Sequence, residues 1–164
     1  LDILMRWSWA ALAIMLCACS PPYQQTQQPP EGFPDLSTFT AVDPAKYSIV
    51  GGAFVTPGQV WCVIAHGPNN SILCGGDITG IPDSVTGNGC PEVRKPENGP
   101  SDAPYVLSRP AGECVTARYA PMTPGHKLSG DHGTCAVGDD GLVACIDADN
   151  KHGFVLRPSG SWTF

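Results

Sequence analysis

Beyond residue 34 the apolar residues come in short runs broken by Gly, Pro, Asn and Asp, and nowhere does spacing of three and four persist over a dozen positions. That pattern predicts short strands rather than long helices. Residues 60–65 (Val-Trp-Cys-Val-Ile-Ala) and 71–74 (Ser-Ile-Leu-Cys) flank His-Gly-Pro-Asn-Asn, a turn-forming stretch, and so predict a hairpin. Residues 135–137 and 142–145 flank Gly-Asp-Asp-Gly in the same way, and residues 153–156 and 161–164 flank Arg-Pro-Ser-Gly as a third hairpin. The first strand is apolar on both faces, with Val60, Cys62 and Ile64 opposite Trp61 and Val63, which marks a central strand. Val115, Ala117 and Tyr119 alternate with Thr116, Arg118 and Ala120, as in a strand with one wet face. In the last hairpin Phe154 and Trp162 read as core aromatics. Two helical turns are predicted at 35–39 and 43–47, the second with Asp43 as cap and Pro44 at its first position. The predicted fold class is therefore all-β: a small, disulfide-stapled antiparallel domain of short hairpins over residues 35–164, with at most one or two helical turns.

The cysteines sharpen this picture. If Ala65 faces Ser71 across a five-residue loop, Cys62 faces Cys74, and if Val137 faces Val143, Cys135 faces Cys145. Directly opposed residues lie about 4.5 to 5.5 Å apart at Cα, a distance a disulfide closes. Cys90 and Cys114 are left to pair by elimination, tying down the Gly- and Pro-rich middle. None of these six cysteines forms a Cys-x-x-Cys knuckle, which disfavours structural zinc.

Ahead of residue 35 the chain reads differently. Arg6 and the apolar stretch 7–16 form the n- and h-regions of a secretory signal, and that stretch is about half the 20 apolar residues a spanning helix needs. Asp2 is out of keeping with an n-region and points to Met5 as an alternative start to Leu1. Leu16-Cys17-Ala18-Cys19 resembles the bacterial lipobox, whose Cys is acylated before cleavage. Cys19 is the lipidation candidate, since choosing Cys17 would put Leu16 where a small residue is needed. Residues 1–18 are thus read as signal peptide and 19–34 as an acylated Cys (carrying diacylglycerol, with palmitate as a typical chain) followed by a Pro- and Gln-rich tether. Two acyl chains anchor firmly where one does not. The fifteen residues 20–34 reach about 45 Å if extended at about 3 Å each. The expected location is the extracytoplasmic face of the cell membrane, in a compartment that favours disulfides.

Charge removes further functions. The chain carries 9 Lys and Arg against 15 Asp and Glu, a net −6, and Arg94-Lys95 is its only adjacent basic pair. It is a poor nucleic-acid binder and is not drawn electrostatically to anionic lipid.

The lipobox, together with Phe33-Pro34-Asp35-Leu36-Ser37, Phe54-Val55-Thr56-Pro57-Gly58, Thr134-Cys135-Ala136-Val137, His152-Gly153-Phe154-Val155-Leu156 and Ser161-Trp162, resembles the small exported lipoproteins of mycobacteria and related actinobacteria. The resemblance covers about half of the mature chain and implies an envelope-exposed, β-rich, disulfide-bonded domain. It carries over no catalytic residue.

Catalytic signatures are missing from the sequence: there is no Gly-x-Ser-x-Gly elbow, His-Glu-x-x-His, phosphate loop or dinucleotide fingerprint. Nothing calls for a cofactor or a metal. Asp147-Ala148-Asp149-Asn150 opens like a calcium loop but continues into Lys151 and His152 and reads as a solvated turn. His66 and His126 fall in turns, and Asn69-Asn70-Ser71 matches a glycosylation acceptor but is read as a turn. Continuing the second hairpin's register puts His132 nearly opposite Ala148, which brings an imidazole towards carboxylates. His132 and Asp149 are accordingly the weak candidates for a ligand or metal contact. The function favoured is a non-enzymatic envelope module binding a glycan, lipid or protein through its loops. The alternative is an envelope hydrolase whose polar residues converge only in three dimensions. A lipid carrier would require a large apolar cavity, which a small Gly- and Pro-rich core argues against.

Overall fold

The computed structural model describes residues 27–164, so the signal peptide, Cys17, Cys19 and the front of the tether lie outside the described residues. The described chain folds as twelve short strands in two six-stranded sheets. One sheet contains β2 (Ala53–Val55), β3 (Val60–His66), β4 (Ser71–Gly76), β5 (Glu92–Arg94), β6 (Val106–Ser108) and β7 (Ala120–Pro121), in the order β6-β5-β4-β3-β2-β7. The other contains β1 (Thr40–Ala41), β8 (His126–Gly130), β9 (Gly133–Val137), β10 (Val143–Asp147), β11 (Gly153–Leu156) and β12 (Trp162–Thr163), in the order β1-β8-β9-β10-β11-β12. Pairing is antiparallel except for one parallel edge pair per sheet, β1 with β8 and β2 with β7.

Both Cys-bearing hairpins form, and the three disulfides are Cys62–Cys74, Cys90–Cys114 and Cys135–Cys145. In the second hairpin the register is the expected one, with Val143 opposite Val137 and Cys145 opposite Cys135. In the first, Cys62 faces Cys74, but at the tip it is His66, not Ala65, that faces Ser71, with an irregularity between Val63 and His66. A bulge in β3 absorbs one residue, leaving the tighter loop 67–70 with Gly67 and Asn70 both at positive φ. The register at the cysteines lies below this bulge and is unaffected by it.

Both hairpin bridges point into the space between the sheets. All four of their cysteines are fully buried, and the sulfurs of Cys62, Cys74 and Cys145 lie within 4.8 Å of one another. Phe54, Ile64, Ile72, Leu128, Val137, Val143, Phe154 and Leu156 surround them in one core drawn from both sheets. Burying each such side chain contributes about 1.5–3 kcal/mol. The strand β3, flanked by β2 and β4, is central as its two apolar faces require.

Four expectations need correction. Residues 115–119 form no strand: only Ala120 and Pro121 pair, and Val115 is 67% exposed. Alternation alone does not make a strand, and only Ala120 and Pro121 find a partner, pairing in parallel with Phe54 and Val55. Trp162 is half-buried rather than core, packing against Phe164 at 5.5 Å between ring centroids. Besides the 3₁₀ turns capped by Asp35 and Asp43, two more occur at Ile49–Gly51 and Asp139–Gly141. Finally, Phe33, in the stretch read as tether, meets Phe164 edge-on at 5.5 Å, so the folded body begins a few residues before Asp35.

Candidate functional site

At one end of the sandwich the sheets come together over a polar cleft of about 250 Å³. Its walls come from the first hairpin's tip (Asn69, Asn70, Ser71), the β8–β9 turn (Asp131, His132), the β10 exit (Asp147, Ala148, Asp149), and Lys95 and Ser101 of the middle segment. Strand alternation explains the most buried of these. Val143, Cys145 and Asp147 share one face of β10, and that face is the core, so Asp147 is carried inward.

A buried carboxylate is costly unless paired and hydrogen-bonded, and Asp147 is both. Its Oδ2 lies 2.6 Å from Lys95 Nζ, and its Oδ1 accepts a 2.5 Å hydrogen bond from the Tyr105 hydroxyl. Lys95 Nζ also donates to the Ser101 carbonyl at 2.8 Å and sits 5.2 Å from the centre of the Tyr105 ring. The Tyr105 hydroxyl accepts from the Ile72 backbone N–H at 3.2 Å, and its ring meets Phe154 edge-on at 5.0 Å. Burial pushes the Tyr105 phenol well above its ordinary range, with the Asp147 charge and hydrogen bond adding to the effect. The cluster thus joins β10 of one sheet to the segment around β5 and β6 of the other. Each member is thus held by a contact to another.

The two candidates from the sequence sit on the rim. His132 and Asp149 line the same cleft, and the backbone N–H of Ala148 bonds the His132 carbonyl at 3.2 Å, which is the register expected for this hairpin. Both side chains are exposed, and no hydrogen bond or ion pair joins them among the described residues. Asp149 instead accepts from the Lys151 backbone N–H at 3.1 Å within its own turn. Among the described residues the only three or more His, Cys, Asp or Glu close enough to share a metal ion are Cys62, Cys74 and Cys145. Those sulfurs are spent in disulfides and offer no thiolate. The reading of 147–150 as a solvated turn is corrected at its first residue: Asp147 is buried and paired with Lys95, while Ala148 and Asp149 are exposed.

Lys95 and Tyr105 are the residues that sequence reading missed. A usable signal existed for Asp147, since an acid two positions after a core-facing Cys must itself face the core. Nothing local identifies its partners, which lie 52 and 42 residues earlier.

No helix among the described residues is long and apolar enough to cross a membrane. No protein-family model, curated protein or solved structure matches the chain.

Proposed function

We propose that this protein is a lipid-anchored extracytoplasmic binding module of the cell envelope, akin to the small exported lipoproteins it resembles, that takes a small polar ligand in the cleft between Asn69, His132 and Asp149. The observation that carries the binding reading is the division of the cleft into a satisfied floor and an open rim. Lys95, Asp147 and Tyr105 are locked to one another, while the Asn70, Asp131 and His132 side chains at the rim make no hydrogen bond among the described residues. Rim groups that can donate and accept suit a hydroxyl-rich partner such as an envelope glycan. A hydrolase would need a positioned acid and base, and the floor has neither to spare. The anchor reading rests on the lipobox ending at Cys19 and on three disulfides suited to an oxidising compartment.

Two measurements test this. Membrane fractionation of the Cys19→Ala variant should move the protein from the membrane to the soluble fraction, and unchanged retention would remove the anchor. Titration of ¹⁵N-labelled protein with chito-oligosaccharides and soluble peptidoglycan fragments should shift amides at residues 69–71, 131–132 and 148–149. Cleavage of those sugars would favour the hydrolase instead, and the absence of any shift at millimolar sugar would sink the glycan reading.

A further inference from the structure

The three disulfides have very different access to solvent. Cys62, Cys74, Cys135 and Cys145 are fully buried, whereas Cys90 is half-buried and Cys114 exposed. Cys90 also lines a surface cavity of about 190 Å³, whose other walls include Trp61, Gly75, Gly76 and Glu113. The Gly76 carbonyl oxygen lies 3.7 Å from both sulfurs of this bridge, and as a disulfide sulfur carries no hydrogen these are packing contacts. The bridge is therefore backed by β4 on one side and open on the other.

From this geometry we propose that Cys90–Cys114 is a thiol-exchange site, at which Cys114 forms a mixed disulfide with a low-molecular-weight thiol. The incoming thiolate attacks the Sγ of Cys114, the exposed residue of the bridge. The Cys90–Cys114 bond breaks, a bond from Cys114 to the incoming sulfur forms, and the electron pair leaves on Cys90 Sγ, which takes a proton from water. Cys90 is then released beside the cavity it already lines. A second thiol attacking the incoming sulfur yields free Cys114 and the thiol's own disulfide, so electrons balance at each step. The two hairpin bridges cannot follow, since an attacking thiolate has no route to sulfurs sealed between the sheets.

Charge selects the thiol. Glu113, which has no ion-pair partner among the described residues, lines the same cavity beside Glu92, which is paired with Arg94 at 3.0 Å, on a chain of net charge −6, so a cationic thiol is attracted and an anionic one repelled. Opening the bridge releases a closure spanning 24 residues that carries Lys95 and Tyr105, so exchange also loosens one wall of the cleft.

The test uses the full chain, with free thiols first blocked by N-ethylmaleimide, then exposed to millimolar cysteamine or 3-mercaptopropionate without denaturant. Trapping with iodoacetamide and peptide mapping should show label on Cys90 and the added thiol on Cys114, with the other four half-cystines intact. Raising ionic strength should slow the reaction with cysteamine and speed it with 3-mercaptopropionate. A Cys90→Ser/Cys114→Ser variant should take up no thiol. Label spread over all six positions, opening of a hairpin bridge first, or no reaction until denaturant is added would each overturn the assignment.

Discussion

Lys95 and Asp147 meet at 2.6 Å across the two sheets, in a position where neither charge can reach bulk water freely. Removing one partner leaves the other buried and unpaired, which costs about 3–5 kcal/mol. Lys95→Ala should therefore lower the unfolding free energy by about that amount, measured by urea denaturation. Lys95→Met combined with Asp147→Leu should recover part of the loss, because the pair's attraction mainly offsets its own desolvation while the Tyr105 hydroxyl is left without its acceptor.

Tyr105 makes stability sensitive to alkali. Its folded-state pKa is raised, by burial first and by Asp147 second, above the value of about 10 in the unfolded chain. A raised pKa means its contribution is complete below about pH 10 and is lost as pH climbs towards the folded value. In that window the unfolded chain holds fewer protons, so stability falls by about 1.4 kcal/mol per pH unit from this group. Subtracting the profile of Tyr105→Phe should isolate that slope, and parallel profiles above pH 10 would rule it out. At neutral pH the same variant should lose about 1–3 kcal/mol, since Asp147 and the Ile72 N–H each lose a partner.

Gly89 holds two chain segments together beside the accessible disulfide. A Cβ there would lie 1.6 Å from the Pro110 carbonyl oxygen, so the backbones must separate to admit one. Gly89→Ala should destabilise by about 1–3 kcal/mol or more and slow formation of Cys90–Cys114 during oxidative refolding. Formation of that bridge at the wild-type rate would show that the two segments are not held by their contact.

Trp61 lies on the glycines of β4. A Cβ at Gly75 would sit 2.6 Å from the indole Cζ2, so Gly75→Ala should cost about 1–3 kcal/mol in thermal or urea unfolding. The indole N–H is the one buried side-chain polar atom without a partner among the described residues. Trp61→Phe removes that orphan donor and so should cost less than the about 3–5 kcal/mol typical of Trp→Ala. In a double-mutant cycle, Gly75→Ala should be milder on the Trp61→Phe background, because the crowding belongs to the pair.

The hairpins and their two bridges were legible from the chain alone because they are local. A turn of Gly, Pro, Asn or Asp between apolar runs dictates which residues face each other, and Cys135 then faces Cys145 whatever the rest of the molecule does. The capped turns at Asp35 and Asp43 were legible for the same reason. Locality also explains the errors. The alternation at 115–120 was real, but a strand needs a neighbouring edge, and no short-range pattern says whether one exists. The bulge at the first hairpin's tip reflects how β3 packs in the sheet and left the spacing of Cys62 and Cys74 unchanged. For the cleft, the chain supplied His132 opposite Ala148, whereas Asp147, read as part of a solvated turn, is in fact carried inward by strand alternation after Cys145. Only the stacking of the two sheets, which brings Lys95 and Tyr105 from 52 and 42 residues away, decided that this inward acid is paired with a lysine and a tyrosine at the floor of the cleft, while His132 and Asp149 are left exposed at its rim.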